Sequence, residues 1–143
     1  MKISTRGRYA LRLMLDLANN QTGEPVKLKD VARRQEISEK YLEQIIAALN
    51  KGGFVRSIRG AQGGYLIARD PSEYTVGMIL RLTEGSLTPV ECLESDTCCE
   101  RETDCVTRIL WKKVADAVSQ VIDSTTLQDL LDWQGNEGDN YVI

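Results

Sequence analysis

Hydrophobic residues recur every three to four positions through the first third of the chain and predict three helices there. The first covers residues 5–20, with its arginines and Asp16 largely outside the apolar stripe. A second helix of about eight residues starts at Leu28, and Ser38 supplies the side-chain oxygen that caps the start of the third. The tight turn at residues 36–38, with Ile37 as its inward-facing apolar residue, makes this pair a helix-turn-helix pattern, although two amphipathic helices alone fit any helical hairpin.

The segment after the third helix predicts a β-hairpin. Residues 54–59 and 65–68 are rich in β-branched and aromatic side chains and flank a glycine-rich loop at residues 60–64. A hairpin directly after a helix-turn-helix is a wing. A phosphate-binding loop needs a helix N-terminus after its glycines, whereas a strand follows here, so the pattern disfavours a nucleotide site.

The second half of the chain predicts three further helices. A break at residues 70–72 precedes a short helix at 75–84, and a long helix covers residues 105–123. The apolar stripe of the long helix is wider than one shallow contact needs, which predicts packing on a twin helix in a homodimer. The alternative is the central core helix of a monomer. Residues 126–131 predict a last short helix.

These elements predict a mainly α fold with a small β-hairpin wing, in which a winged helix-turn-helix domain is joined to a long C-terminal dimerisation helix. The expected boundaries are a DNA-binding domain at 1–70, a connecting helix at 71–84, a cysteine-containing loop at 85–104, a dimerisation helix and terminal helix at 105–133, and a polar tail at 134–143.

The composition argues against several classes of function. The chain has 143 residues, 42% of them hydrophobic, and contains no histidine. The absence of histidine excludes His-based triads, a His general base and His metal ligands, and no other constellation suggests an enzyme. The longest stretch without a charged residue covers only residues 60–68, too short to cross a membrane. Because the N-terminus also has no signal-peptide core, we expect a cytoplasmic protein.

The charge is distributed unevenly along the chain. Residues 1–69 hold 13 Lys and Arg against 6 Asp and Glu, whereas residues 70–143 hold 5 against 15. A basic half joined to an acidic half is expected when one end of a protein binds a polyanion. A chance imbalance of solvated faces is the alternative.

The basic half offers candidate DNA-binding residues on three elements. A helix that enters the major groove carries polar side chains near its N-terminus, where glutamine can pair with adenine and glutamate with the cytosine amino group. Arg59 on the wing can enter a minor groove, and Arg12 joins the arginines of the first helix that can face the DNA backbone. The candidates are Arg6, Arg8, Ser38, Glu39, Lys40, Tyr41, Glu43, Gln44, Arg56, Arg59, Gly60 and Gln62.

Three motifs resemble one bacterial regulator family, which includes IscR, NsrR and CymR. They are MKISTRGRY at residues 1–9, SEKYLEQ at 38–44 and SIRGAQGGY at 57–65. The resemblance covers nearly the whole chain, and its C-terminal part, with TPVE at 88–91 and DSTTL at 123–127, is most similar to CymR. It implies a dimeric winged-helix transcription factor, usually a repressor, that binds an imperfect palindrome in double-stranded DNA.

The four cysteines, Cys92, Cys98, Cys99 and Cys105, lie within 14 residues. Since stable disulfides are rare in the cytoplasm, this crowding favours metal binding or redox chemistry. A zinc ribbon is excluded because the chain has no Cys-x-x-Cys pair. Thiolates on a loop before a helix can hold a [2Fe–2S] cluster. A thiol redox switch, another metal and cysteines without a function are the alternatives.

The family resemblance implies a ligand pattern that this chain matches in part. Cluster-binding members use Cys-x5-Cys-x5-Cys, and Cys99 and Cys105 match the second spacing, whereas Cys92 lies one residue too far from Cys99. The positions of the fourth ligand in family members are Arg108 and Arg8 here, and neither can bind iron. The expected cluster ligands are Cys92, Cys99 and Cys105, with Cys98 as an additional candidate.

The C-terminus is a candidate partner-binding site. Tyr141 followed two residues later by a terminal Ile143 resembles the tails that dock into the active site of cysteine synthase, the enzyme with which CymR-like repressors act. A frayed tail is the alternative.

The sequence therefore predicts a homodimeric repressor of iron–sulfur or cysteine metabolism genes that a [2Fe–2S] cluster switches. The first alternative is a CymR-like repressor that acts with cysteine synthase and holds no cluster. The second is a small redox or metal carrier without DNA function, against which the basic wing argues because a carrier has no need of one.

Overall fold

The structure is a computed structural model that describes residues 2–94 and 104–140. Over these residues the chain forms six α-helices and one two-stranded antiparallel sheet, which confirms the predicted mainly α fold with a β-hairpin wing. The helices are α1 (Thr5–Asn19), α2 (Leu28–Gln35), α3 (Glu39–Lys51), α4 (Val76–Glu84), α5 (Val106–Ser124) and α6 (Leu127–Asn140). The strands are β1 (Val55–Ile58) and β2 (Gly64–Ile67), and 3-10 turns cover Pro71–Glu73 and Glu91–Leu93.

The helix-turn-helix forms around an apolar core shared by α1, α2 and α3. The side chain of Ser4 caps α1 by accepting from the N–H of Gly7 at 3.2 Å, and that of Ser38 caps α3 by accepting from the N–H of Tyr41, also at 3.2 Å. Ile37, in the turn between α2 and α3, is buried as predicted. The core side chains of the three helices are Ala10, Leu13, Met14, Leu17, Val31, Leu42, Ile45, Ile46 and Leu49.

The wing is a short antiparallel hairpin that is bonded to the helix-turn-helix from two sides. It begins directly after α3, and Val55 of β1 pairs with Ile67 of β2. Val26, just before α2, exchanges two backbone hydrogen bonds with Tyr65 of β2, at 2.9 and 2.8 Å. The wing is therefore fixed relative to both α2 and α3.

The buried Tyr74 closes the base of the wing. Its hydroxyl donates to the carbonyl oxygen of Phe54 at 2.6 Å and accepts from the backbone N–H groups of Ala68 and Arg69, both at 3.1 Å. Its ring also packs edge-on against that of Phe54. Burial raises the pKa of the Tyr74 hydroxyl above its ordinary value and so further favours the protonated form that donates to Phe54.

The C-terminal helices return to the first half of the chain. The N–H of Val76 donates to the carbonyl of Thr125, and the N–H of Leu127 donates to the carbonyl of Tyr74, both at 2.8 Å. Leu127 is fully buried in the same core as α1 and α3. The junction between α5 and α6 is therefore part of the body that carries the helix-turn-helix.

Two features differ from the sequence predictions. The last helix continues to Asn140, far beyond residues 126–131. Gly135 and Gly138 disfavour a helix, so the sequence offers no reason to extend it this far. The amide of Asn19 donates to Oε1 of Gln134 at 2.7 Å and ties this extension to α1. Asp16, expected largely outside the apolar stripe of α1, is buried.

None of the helices in the described ranges is long and apolar enough to span a bilayer.

Candidate nucleic-acid interface

The first turns of α3 present the polar side chains that the sequence assigns to base reading. Ser38, Glu39, Lys40, Glu43 and Gln44 are all exposed, while the opposite face of α3 lies in the core. A recognition helix contacts base edges through residues near its N-terminus. The packing of α3 leaves that end free to enter a major groove.

Tyr41 differs from its neighbours on α3 because it is half-buried. Its ring packs edge-on against that of Tyr9 in α1, with 5.6 Å between ring centroids, and the guanidinium of Arg12 lies 5.4 Å from the Tyr9 centroid. Tyr41 therefore helps to hold α3 against α1.

The wing carries exposed cations at the positions expected from the sequence. Arg56 and Arg59 are exposed, and neither has an ion-pair partner within residues 2–94 and 104–140. Gly60 turns the loop with φ +107°, a value that L side chains rarely adopt, and a Cβ on Gly63 would lie 2.9 Å from the carbonyl oxygen of Gly60. This tight loop also leaves Gln62 exposed.

The arginines of α1 divide into two groups. Arg6 and Arg8 are exposed in the first turn, where the guanidinium of Arg8 donates to Oγ1 of Thr5 at 3.1 Å. Arg12, expected to face the DNA backbone, instead donates to the backbone carbonyl of Gln35 and, at 3.2 Å, to its side-chain oxygen. Since those groups end α2, Arg12 joins two protein helices.

A buried carboxylate fixes α2 on α1. Asp16 is 3% exposed and accepts from Nη2 and Nε of Arg34, at 2.6 and 3.1 Å, and from Nε2 of Gln35 at 2.9 Å. The hydrogen bonds to Asp16 raise the pKa of the Arg34 guanidinium. The sequence signal for burial is that Asp16 lies three residues after Leu13 and next to Leu17. Its partner, 18 residues away, has no local signal.

A second ion pair that sequence reasoning missed joins α4 to α5. The two terminal nitrogens of Arg81 donate to the two carboxylate oxygens of Asp123, at 2.5 and 3.0 Å. This pairing raises the pKa of Arg81 and lowers that of Asp123. The residues are 42 positions apart, and although Asp123 begins the DSTTL segment, nothing in the sequence indicates that Arg81 is its partner.

The predicted dimerisation helix α5 presents apolar side chains to solvent along its length. None of its 19 residues is buried in this chain, and Val106, Ile109 and Val121 are between 60% and 76% exposed. At its C-terminal end, Val121 and Trp133 line an apolar notch of about 210 Å³. Large exposed apolar groups on one element are typical of a protein–protein interface.

Two of the four cysteines lie among the described residues. Cys92 is half-buried in the 3-10 turn Glu91–Leu93, and Cys105 is half-buried directly before α5, with its sulfur 3.2 Å from Oγ1 of Thr107. Among the described residues, no three His, Cys, Asp or Glu side chains are grouped to hold a metal. The remaining predicted site residues, Cys98, Cys99, Tyr141 and Ile143, lie outside the described residues.

Comparisons with known proteins agree with this arrangement. A family model described as "Rrf2: Iron-dependent Transcriptional regulator" matches residues 3–133. The chain is 44% identical over 143 residues to the HTH-type transcriptional regulator CymR of Bacillus subtilis strain 168, a match that covers 100% of this chain and 99% of that protein.

Solved structures of transcriptional regulators also match this chain. The structure of CymR, described as the global cysteine regulator of B. subtilis, matches with a TM-score of 0.80 and covers 93% of this chain and 98% of its own. IscR of T. potens matches with a TM-score of 0.75 and 45% identity, covering 92% and 87%. The chain therefore belongs to the Rrf2 family of transcriptional regulators.

Proposed function

We propose that this chain is a homodimeric repressor that binds double-stranded DNA through α3 and the wing. The observation that carries this proposal is the exposed polar start of α3 beside a wing whose arginines, Arg56 and Arg59, have no ion-pair partner among the described residues. Cations without internal partners are available to phosphates, which supply much of the affinity of proteins for DNA.

Each exposed side chain has a role that follows from its chemistry. Glu43 and Gln44 read base edges in the major groove, and Lys40 contacts phosphate. Arg59 enters the minor groove flanking the site, where the negative potential is strongest. The complete proposed contact set is Arg6, Arg8, Ser38, Glu39, Lys40, Tyr41, Glu43, Gln44, Arg56, Arg59, Gly60 and Gln62.

The exposed apolar face of α5 supports a dimer. A helix that packs only on its own domain leaves polar groups outside, whereas α5 leaves Val106, Ile109 and Val121 in water. Pairing with a second copy buries these side chains. A twofold dimer then presents two α3 helices to the two halves of an imperfect palindrome.

The regulated genes are inferred from the relatives. CymR is described as a global cysteine regulator and is 44% identical to this chain, and the structure of T. potens IscR matches 92% of it. We therefore propose that the chain regulates genes of cysteine or iron–sulfur metabolism. Within this proposal the domain boundaries lie at residues 70, 84 and 104, whereas the expected boundary at residue 133 falls inside α6 (Leu127–Asn140).

A [2Fe–2S] cluster held by the cysteines is the proposed switch. Thiolate sulfur is the donor that iron–sulfur clusters prefer, and Cys92 and Cys105 are half-buried thiols at the two edges of the segment that contains Cys98 and Cys99. Four thiols within 14 residues can supply all the ligands without a histidine. The cluster, when bound, supplies a redox-active centre next to the start of α5.

Two other functions remain as outcomes of the tests. A CymR-like repressor without a cluster would act through cysteine synthase, with Tyr141 and Ile143 as the docking residues. A redox or metal carrier would use the cysteines and leave the wing unused. The exposed arginines of the wing favour DNA binding over the carrier.

The DNA-binding proposal is tested by comparing two exposed arginines. Arg59→Ala should weaken binding of the full chain to duplex DNA about tenfold at roughly 50 mM salt and make its salt dependence shallower. Arg33→Ala is the matched control, because Arg33 is equally a surface cation but pairs with Asp30 on α2 at 3.6 Å. Equal effects of the two substitutions would contradict the proposed role of the wing.

The cluster is tested by iron and acid-labile sulfide analysis of protein purified without oxygen. We expect about two iron and two sulfide per chain and a coloured protein, both lost in Cys105→Ala. Colourless wild-type protein without iron after reconstitution would leave the cluster-free repressor as the function.

A further inference from the structure

One contact links the end of α4 to the start of α1. Oε1 of Glu84 accepts from the backbone N–H of Ser4 at 3.0 Å, from the N–H of Gly7 at 3.1 Å, and from the hydroxyl of Ser4. Ser4 already caps α1, so Glu84 adds a second cap from another helix, 80 positions away in the sequence. A carboxylate at this place is also favoured by the positive end of the helix dipole.

The fit around this carboxylate is close. A Cβ on Gly7 would overlap Oε1 of Glu84 and would lie 3.0 Å from its carboxyl carbon. Gly7 is buried in the first turn of a 15-residue helix, where alanine would otherwise be the better helix former. The glycine is therefore explained by the approach of Glu84.

The capped turn carries the cations that we assign to the DNA backbone. Arg6 lies between the two residues that Glu84 bonds, and Arg8 follows directly after them. A cleft of about 550 Å³ opens at this end of α1 and is lined by residues 2–5 and Arg8, so Lys2 also faces it. The backbone that positions these cations is held by Glu84.

We propose that Glu84 is a positioning residue for DNA binding, which acts by fixing the start of α1 so that Arg6 and Arg8 contact phosphates. The inference rests on the proposed DNA-binding function. It adds a residue that is outside the proposed contact set and lies at the C-terminal end of α4, before the segment that leads to Cys92.

General electrostatics and this proposal predict opposite changes in DNA affinity when Glu84 is replaced. Removing a negative charge should strengthen binding to a polyanion, whether the new residue is Ala or Gln. If Glu84 positions α1, Glu84→Ala should instead weaken binding to a selected DNA duplex about tenfold. Glu84→Gln should bind more tightly than Glu84→Ala, because the amide oxygen of Gln can still accept from Ser4 and Gly7.

A second variant keeps the carboxylate and its charge. Gly7→Ala should displace Glu84 and weaken binding in the same way, although alanine favours the helix. Glu91→Gln is the matched control, since Glu91 is an exposed carboxylate in the segment after α4 and its removal should leave affinity unchanged or slightly higher.

The deciding readout is the slope of log affinity against log salt concentration for the full chain, with folding checked by circular dichroism. The magnitude of this slope is about 0.9 for each phosphate contact. Partial unfolding lowers the fraction of active protein but leaves the slope unchanged. We expect shallower slopes for Glu84→Ala and Gly7→Ala. If Glu84→Ala does not fold, the slope and affinity of Gly7→Ala decide.

Wild-type slopes and affinities in both Glu84→Ala and Gly7→Ala would overturn the positioning role while leaving DNA binding intact. A wild-type chain that binds no duplex would overturn the proposed function and this inference together.

Discussion

A single residue, the buried Asp16 of α1, fixes the position of α2. It is 2% exposed as a side chain and is surrounded by donors from Arg34 and Gln35, so its charge is balanced inside the protein. A buried charge that loses its partner is costly, because the remaining group keeps its desolvation penalty. The pair thus couples the packing of the helix-turn-helix to two specific residues.

Replacing Asp16 by Asn should lower the free energy of unfolding by about 2 kcal/mol, measured by urea denaturation. This is less than the cost for a fully buried pair because the side chain of Arg34 is 33% exposed. The control is Asp30→Asn, which removes an exposed ion pair with Arg33 and should cost about 0.5 kcal/mol or less. Equal losses would show that the burial of Asp16 contributes nothing.

Local sequence signals predicted the structural roles of some residues and not of others. Ser38 as an N-cap and Ile37 as a buried turn residue follow from their place between two apolar stripes, and the structure has both. The roles of Arg12 and Asp16 depend on partners 18 to 23 residues away. Because helix periodicity gives no information on which distant side chain approaches, the burial of Asp16 and the contact of the exposed Arg12 with Gln35 were not predicted.

The helix α4 connects the other elements. Its N-terminal end is bonded to the α5–α6 junction through Val76, Arg81 pairs with Asp123 of α5, and Glu84 caps α1. The pair between Arg81 and Asp123 is a bidentate contact at the surface, with both side chains slightly over 40% exposed. Such pairs contribute modestly and depend on pH.

The ion pair between α4 and α5 predicts how stability changes with pH. Arg81 lowers the pKa of Asp123 in the folded state, so its stabilisation is present above the unfolded pKa of about 4 and is lost as pH falls through the folded value. Asp123→Asn should therefore be less stable than wild type at pH 7 by about 0.5 kcal/mol, with the difference closing as the pH falls through the lowered pKa of Asp123 in the folded state. A difference in urea denaturation that does not change with pH would contradict this.

The elements themselves were largely predictable. The order of α1 to α3, the hairpin and the long α5 follow from apolar spacing and from the glycine-rich loop, and five of the predicted helices agree with the structure in type and approximate extent. The length of α6 was not predictable, because Gly135 and Gly138 oppose a helix that the contact of Gln134 with Asn19 helps to hold.

At the scale of the whole molecule, the exposed face of α5 is incomplete without a partner. Val106, Ile109, Leu110 and Val121 remain at least half exposed along a single helix. The notch lined by Leu11, Val121 and Trp133 continues this apolar surface. In the proposed dimer, burial of these groups against a second copy would supply the free energy of dimerisation.

Val121→Glu should convert the dimer to a monomer, because pairing would bury an unpaired carboxylate. Analytical ultracentrifugation should give the mass of one chain instead of two. Lys112→Glu is the control on the same helix, since Lys112 pairs with Asp116 outside the apolar face, and it should stay dimeric. A Val121→Glu variant with the wild-type mass would place the interface elsewhere.

The most direct test of the account is selection of duplexes from random DNA by the full wild-type chain, followed by sequencing. Two α3 helices related by a twofold axis should recover an imperfect palindrome with half-sites separated by about one helical turn, or 10 base pairs. Recovery of a single asymmetric half-site, or of no enriched sequence, would contradict a dimeric regulator that reads DNA through α3 and its wing.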